Sequence, residues 1–249
     1  MQKLKTAKKQ NNKKNRIILL VLLIGIIGVL VIISSLDFSR CNIRRQFSSV
    51  DDKFMNDIRE KITTLEKEKV KDPATLRRLA EQYSLLGTIY VEHKLWTPAI
   101  DALNNSLKYG NNSPAIFYSL GLAYSNRSIQ MDSGDDLDKG EACYRKAIEK
   151  KPGFHDSMYG LAVLLFYHRD KKDEAMKLVN EIVAANPAFY EARFAQGRFL
   201  YETGNKQQAL SVYQSLSVDL DRLPPSGIVN QYKSNCSNNI ETLMVELSK

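Results

Sequence analysis

Apolar residues recur at helical spacing through most of the chain beyond residue 50. In residues 190–223 the large Leu200, Tyr213 and Leu216 are interspersed with the small Gly197 and Ala209. Recurrence every three or four positions predicts amphipathic helices, and a glycine between two such runs is a helix-ending signal. The stretch therefore predicts two helices separated by a short turn.

The same pattern recurs upstream in steps of 34 residues, apart from insertions in the turn between the two helices. That turn has one extra residue in the third unit and seven in the second. A small residue stands at the eighth position of every unit: Gly87, Gly121, Ala162 and Gly197. The units are residues 80–113, 114–154, 155–189 and 190–223. Helix pairs that repeat and differ only by loop insertions predict a solenoid.

This unit resembles the tetratricopeptide repeat (TPR), a pair of antiparallel helices. Its small residues at positions 8 and 20 let the two helices approach closely, and large residues fill the contact around them. The resemblance implies an all-α fold, a TPR helical solenoid of about four repeats plus flanking helices. Arg193, Gln196 and Ser106 depart from the usual pattern, and we interpret them as drift within it.

Both ends of the repeat array carry further helical patterns. Residues 37–79 predict a stem followed by a leading helix, in which Phe54, Ile58 and Ile62 share one face. Residues 224–249 predict a capping helix, with apolar residues at helical spacing from Val229 to Leu247. A solenoid needs such a helix because its last repeat otherwise exposes an apolar face.

Residues 17–36 form an apolar segment, in which fifteen of the first seventeen residues are Ile, Leu or Val. About twenty such residues suffice to cross a bilayer. Seven Lys or Arg residues and no acid occupy residues 1–16, which favours a cytoplasmic N-terminus. We therefore predict a single-pass transmembrane helix with the TPR domain extracytoplasmic, as on the periplasmic face of a bacterial inner membrane. A cleaved signal peptide is the alternative, but Ile32 and Ile33 stand where its cleavage site needs small residues.

The formal charge of +8 is concentrated in that basic tail. Without its seven basic residues, 29 Lys and Arg remain against 28 Asp and Glu. A nucleic-acid-binding protein needs a basic surface that releases counterions. The near-neutral remainder therefore predicts no nucleic-acid partner.

Side chains that could carry catalysis or bind metal are dispersed. The three histidines lack metal-ligand spacing, and the three cysteines include no C-x-x-C pair. Asp132, Asp135, Asp136 and Asp138 lack calcium-loop spacing, so we interpret them as a solvated loop insertion. We predict no enzyme, no cofactor, no metal and no small-molecule substrate.

The TPR resemblance also implies a binding surface, because the first helix of each TPR unit lines a concave groove. The groove positions of the later repeats are rich in residues that anchor interfaces. The predicted protein-binding residues are Tyr118, Tyr159, Phe166, Tyr167, Phe194, Arg198 and Tyr201. The alternative is that a flanking helix folds over these side chains and buries them. The Lys and Asn clamp that some TPR domains use for chaperone tails is absent from the corresponding positions.

The function predicted from these features is a membrane-anchored scaffold that binds other proteins or peptides through its groove. Its layout is similar to that of bacterial inner-membrane TPR proteins, which suggests a role in the assembly or secretion of envelope proteins. Two alternatives remain open. One is a chaperone-like holdase for unfolded clients, and the other is a targeting receptor with cytosolic repeats.

Overall fold

The computed structural model describes residues 49–69 and 71–249, and every regular element in them is an α-helix. Residues 58–249 form one compact unit. The described helices are α1 (Ser49–Glu66), α2 (Pro73–Glu92), α3 (Trp96–Lys108), α4 (Pro114–Met131), α5 (Gly134–Lys150), α6 (His155–His168), α7 (Lys172–Ala185), α8 (Tyr190–Glu202), α9 (Lys206–Asp221) and α10 (Gly227–Leu247).

Successive helices pack as pairs, and each pair is one repeat. Helix α2 packs on α3, α4 on α5, α6 on α7 and α8 on α9, and consecutive pairs also contact each other. The last helix, α10, packs on α9. The all-α solenoid predicted from the sequence is therefore confirmed.

Close approach within each pair depends on the small residue at position 8. A Cβ atom added to Gly197 would lie 2.7 Å from the ring of Tyr213 on the facing helix. Tyr144 is packed in the same way over Gly121 of its own repeat and Gly160 of the next, each at 2.7 Å. These glycines therefore set the distance between helices, because a methyl group would force the rings away.

The turns inside the repeats share one backbone feature, a residue with positive φ. Gly204 (φ 85°) ends the first helix of the fourth repeat, as the sequence predicts. Lys94, Asp132 and Asp170 adopt the same left-handed conformation in the other three repeats. The turn geometry is thus kept even where no glycine is available to adopt it without strain.

The three residues interpreted as drift make specific contacts instead. Arg193 is buried and its guanidinium lies 2.7 Å from the carboxylate of Asp219, which ties α8 to α9. Buried Ser106 donates a hydrogen bond to the carbonyl oxygen of Ala80 at 2.6 Å. The Gln196 amide donates to the side-chain oxygen of Asn180 at 2.8 Å. Each polar replacement therefore has its own hydrogen-bond partner.

The acidic stretch of the second repeat is not a loop insertion, contrary to our prediction. Helix α4 continues to Met131 and α5 begins at Gly134, so the extra residues lengthen both helices. Asp136 is buried and accepts two hydrogen bonds from Arg127, each 2.7 Å long. This ion pair bridges the lengthened helices, which explains why a carboxylate can lie inside them.

Two flanking elements also differ from the prediction in detail. Helix α2 begins at Pro73, seven residues before the predicted start of the first repeat, and the Asp72 side chain caps it by accepting from the Thr75 amide at 2.7 Å. In α1, Ile58 is buried, whereas Phe54 is 48% exposed. The spacing of the apolar residues therefore predicts correctly that α1 is a helix, but it identifies only part of the face that is buried.

The predicted membrane localisation has to be corrected. In residues 49–69 and 71–249, no helix is long and apolar enough to cross a membrane. The physical reason is that these helices are amphipathic and carry charged residues on one face, whereas a span needs about twenty mainly apolar residues. The finding overturns the prediction of a single-pass protein with extracytoplasmic repeats; the segment on which it rested, residues 17–36, lies outside the described residues.

We predict that Gly197→Ala is less stable than Gly134→Ala by about 1 to 3 kcal/mol, the usual cost of overpacking a core. The added methyl group collides with Tyr213 at position 197 but meets nothing within 4 Å at position 134. Gly134 is the first residue of α5, whereas Gly197 lies inside α8, where alanine alone would favour the helix, so a lower stability of Gly197→Ala reports the clash. Urea denaturation of the two proteins measures it, and equal stabilities would contradict the packing described.

We predict that Asp136→Asn lowers the free energy of unfolding by about 2 kcal/mol at neutral pH, as expected for hydrogen bonds to a charged group. The hydrogen bonds from Arg127 hold the pKa of Asp136 below its usual 3.8. A depressed pKa contributes stability above the unfolded-state value, and that contribution is lost as the pH falls through the folded-state value.

The difference in the free energy of unfolding between wild type and Asp136→Asn should therefore become smaller below about pH 4. The control is Asp135→Asn, because the Asp135 side chain is 77% exposed and, within residues 49–69 and 71–249, pairs only with Lys139. Such an exposed pair should contribute about 0 to 1 kcal/mol. Chemical denaturation at several acid pH values measures the free energy of unfolding of both variants. If the difference between wild type and Asp136→Asn does not change with pH, the ion pair is not the source of that difference.

Candidate protein-binding groove

A groove with a volume of about 820 Å³ opens between α6, α8 and α10. It has an aromatic face, formed by α6 and α8, and a polar face, formed by α10. Its lining residues are Tyr159, Val163, Tyr167, Glu191, Phe194, Ala195, Arg198, Tyr201, Glu202, Tyr213, Tyr232, Asn235, Asn238, Asn239, Thr242 and Leu243.

Helical periodicity produces the aromatic face. Tyr159 and Tyr167 lie eight residues apart on α6, and Phe194, Arg198 and Tyr201 follow at spacings of four and three on α8. Residues at these spacings share one side of a helix. Because α6 and α8 belong to neighbouring repeats that contact each other, their two sides form one surface.

The most exposed part of the aromatic face is a cluster of Tyr167, Arg198 and Glu202. The Tyr167 hydroxyl donates to Glu202 Oε1 at 3.0 Å, and Arg198 Nε donates to the same oxygen at 2.9 Å. The Arg198 guanidinium also lies 5.8 Å from the Tyr167 ring centre. Burial and the bond to Glu202 raise the pKa of Tyr167 to about 12, so the hydroxyl keeps its proton at neutral pH.

The polar face consists of one side of α10. Asn235, Asn238, Asn239 and Thr242 follow each other at helical spacing along the groove. The Thr242 hydroxyl donates back to the carbonyl oxygen of Asn238 at 2.8 Å. The three asparagine side chains make no hydrogen bond within the part of the chain that the structure describes. Asn235 and Asn238 are exposed, and Asn239 is partly buried.

Two sets of contacts hold α10 beside α8. Near the end of α10, Glu246 accepts a hydrogen bond from the Tyr201 hydroxyl at 2.9 Å and lies 3.0 Å from the Lys206 ammonium. The hydrogen bonds from Lys206 and Tyr201 hold the pKa of Glu246 below its usual value. Near the beginning of α10, the rings of Tyr232 and Phe194 lie 5.5 Å apart. These contacts therefore hold α10 in place at both ends of the groove.

Five of the seven predicted binding residues lie together in this groove: Tyr159, Tyr167, Phe194, Arg198 and Tyr201. They differ in exposure, since Tyr167 is 40% exposed whereas Tyr159 and Phe194 are partly buried against neighbouring aromatic rings. The alternative of a flanking helix that covers them is realised only in part. Helix α10 forms a wall of the groove and leaves Tyr167 and Arg198 open to solvent.

The other two predicted residues lie elsewhere. Phe166 is 4% exposed and stacks on Phe199 with ring centres 3.9 Å apart, so it belongs to the core between the third and fourth repeats. Tyr118 packs against Phe154, with ring centres 5.6 Å apart, outside the groove. The prediction assigned Phe166 and Tyr167 to one surface, although successive residues of a helix point about 100° apart.

Sequence reasoning missed the polar face that α10 contributes. We predicted α10 as a cap, from the apolar stripe that includes Tyr232, Cys236 and Leu243, with a flanking helix over the groove as an alternative. A second stripe, Asn235, Asn238 and Asn239, is also visible in the sequence. Three amides on one helix side were the signal that could have identified a polar wall.

Comparison with known proteins supports the repeat assignment. The family model described as tetratricopeptide repeat matches residues 129–188 and 169–219. No curated protein sequence matches this chain.

Solved structures share the fold at low sequence identity. The crystal structure of MamA superposes with a TM-score of 0.53 at 18% identity, covering 68% of this chain and 93% of MamA. TTC0263, a thermophilic TPR protein from Thermus thermophilus, superposes with a TM-score of 0.50 at 17% identity, covering 70% of this chain and 88% of TTC0263. A tetratricopeptide repeat protein from Parabacteroides merdae superposes with a TM-score of 0.55 at 14% identity, covering 83% of this chain and 76% of that protein. Residues 129–219 therefore match the tetratricopeptide repeat, and the fold of the described chain is that of solved tetratricopeptide repeat proteins.

Proposed function

We propose that this protein is a scaffold that binds a segment of another protein in the groove between α6, α8 and α10. The observation that carries the proposal is the groove itself, which joins an exposed Tyr and Arg pair to a wall of amide side chains. Its volume of about 820 Å³ is comparable with that of small-molecule sites, about 300 to 1,000 Å³, so it has room for a few side chains of a partner. Tyr and Arg are enriched among the residues that dominate binding energies.

The repeat family also supports a protein partner, because TPR proteins bind other proteins or peptides. The proposal assigns no catalytic step to the groove. Assembly or secretion of envelope proteins, which we expected from the sequence, depended on the membrane localisation corrected above. It is therefore not part of the proposal.

The groove can be tested with a displayed library of random peptides, selected on the full chain. We predict that Tyr167→Ala and Arg198→Ala each weaken binding of the selected peptides by about thirtyfold, as a hot-spot loss of about 2 kcal/mol implies. Melting temperatures should change little, because both side chains are exposed. Fluorescence anisotropy with labelled synthetic peptides measures the affinities.

Arg77→Ala is the matched control. The Arg77 side chain is 77% exposed and, like Arg198, lies within reach of a glutamate four residues further along its helix. It is not among the groove residues, so its loss should leave affinity unchanged. Peptides that bind all three variants as tightly as wild type would place the binding surface outside the groove. Tight binding of many denatured proteins by wild type, lost in the groove variants, would favour the holdase alternative instead.

A further inference from the structure

We infer that the end of the groove around Glu191 binds an arginine side chain of the partner. This inference rests on the proposed function and specifies the chemistry of the partner. The site, called the Glu191 pocket below, consists of that carboxylate and the rings of Tyr159, Phe194 and Tyr232. Its carboxylate is a charged group to which the proposed function assigns no role.

The carboxylate and the three rings come from three different helices. The Tyr232 hydroxyl of α10 donates a hydrogen bond to Glu191 of α8 across the groove. Phe194 follows Glu191 by three residues, on the same side of α8, and its ring lies 5.5 Å from that of Tyr232. Tyr159 belongs to α6, and its pKa is raised by burial and then by the charge of Glu191. Helices α6, α8 and α10 therefore place aromatic rings around one carboxylate.

The charge of Glu191 is not balanced by a cation of the described chain. Arg198 is the only basic residue in the described lining of the groove, and it pairs with Glu202 at 2.9 Å. It lies seven residues beyond Glu191, about 10 Å along the helix. Neither Lys nor Arg forms an ion pair with Glu191 in residues 49–69 and 71–249. Water can solvate this carboxylate but cannot neutralise it, so a cationic partner gains from entering the pocket.

The combination of aromatic rings with a carboxylate suits arginine. A guanidinium is attracted to the face of an aromatic ring, and its planar fork can donate two N–H groups to a carboxylate. The groove already contains one such arrangement. The Arg198 guanidinium lies 5.8 Å from the Tyr167 ring centre, and its Nε donates to Glu202 at 2.9 Å. The Glu191 pocket offers the same groups, and we assign the arginine to the partner.

A second carboxylate lies near the pocket. Asp156 and Glu191 are each the second residue of their helix, α6 and α8, and these helices contact each other. Asp156 also precedes Tyr159 by three residues on the same side of α6. It has no ion-pair partner in the part of the chain that the structure describes. Two acids at one end of the groove therefore favour a basic partner over an acidic one.

Helix stability is the structural alternative for these acids. A carboxylate in the first turn of a helix interacts favourably with the helix dipole. That role explains an acid at the beginning of α8, but it requires no ring from α6 or α10. The two roles also differ in what they predict, because loss of a dipole interaction lowers stability whereas loss of the pocket lowers affinity for a cation.

The test uses the peptides selected on the full chain and copies in which one arginine at a time is replaced by citrulline. Citrulline has nearly the shape of arginine but carries no charge. We predict that the selected peptides contain more arginine than the starting library. Citrulline at one position should weaken binding to wild type by about tenfold, as the loss of hydrogen bonds between charged groups implies.

The variant Glu191→Gln identifies the residue that binds this arginine. Glutamine keeps an oxygen that can accept from the Tyr232 hydroxyl, so α10 should stay in place. The variant should bind the parent peptide about tenfold more weakly than wild type does, and it should bind parent and citrulline copy equally, because both changes remove one interaction.

Glu81→Gln is the matched control. Glu81 stands at the position of the first predicted unit that Glu191 occupies in the fourth, and it is exposed and outside the groove. The control should distinguish the two peptides as wild type does. A lower melting temperature of Glu191→Gln with unchanged affinity would support the dipole role and overturn the inference.

Other results would also overturn it. If every citrulline copy binds within twofold of its parent while Tyr167→Ala still weakens binding, the proposed function stands without this inference. Selected peptides rich in acidic residues would have the same meaning. Self-association of the full chain that Glu191→Gln abolishes would identify a second copy as the occupant. If the library yields no binder, or if neither Tyr167→Ala nor Glu191→Gln alters binding, both proposals fail.

Discussion

The contact of a small residue on one helix with a large side chain on the next is the constraint on which this structure depends. Tyr213 covers Gly197 so closely that a Cβ atom would lie 2.7 Å from its ring. Tyr144 makes this contact twice, over Gly121 within its repeat and over Gly160 in the next. One ring therefore fixes both the helix pair and the step between repeats. This packing also determines which sides of α6 and α8 face the groove.

The groove exists because of how the array ends. Buried Cys236 and Leu243 of α10 cover the apolar side of α9 around Leu216 and Leu220. In the described helices, α6 and α8 have Cα atoms within 8 Å of each other, whereas α8 and α10 have none. A single helix that is bound through α9 thus stands away from α8 and leaves a space between them. In this way the helix that caps the core also forms a wall of the binding site.

The repeat fold could be predicted because its determinants are local and periodic. Gly197 and Tyr213 stand 16 residues apart, as do Gly87 and Leu103, and the other two repeats differ only by one and seven inserted residues. The acidic stretch could not be assigned, because its conformation depends on Arg127 reaching Asp136 across two helices. Composition alone suggested a solvated loop there. The family pattern also placed Phe166 on the surface, whereas its burial depends on the ring of Phe199 in the next repeat.

The asparagines of α10 are harder to explain by capping than by binding. A cap needs only an apolar side facing α9, and any helix-favouring polar residue would serve on its other sides. Asparagine is a poorer helix former than Lys, Glu or Gln, because its side chain competes with the backbone hydrogen bonds. Yet α10 places Asn235, Asn238 and Asn239 on the side that lines the groove. Asn235 and Asn238 are exposed and Asn239 is only partly buried, so little core packing offsets the helical propensity lost there, and a role in the groove accounts for both the residue type and its position.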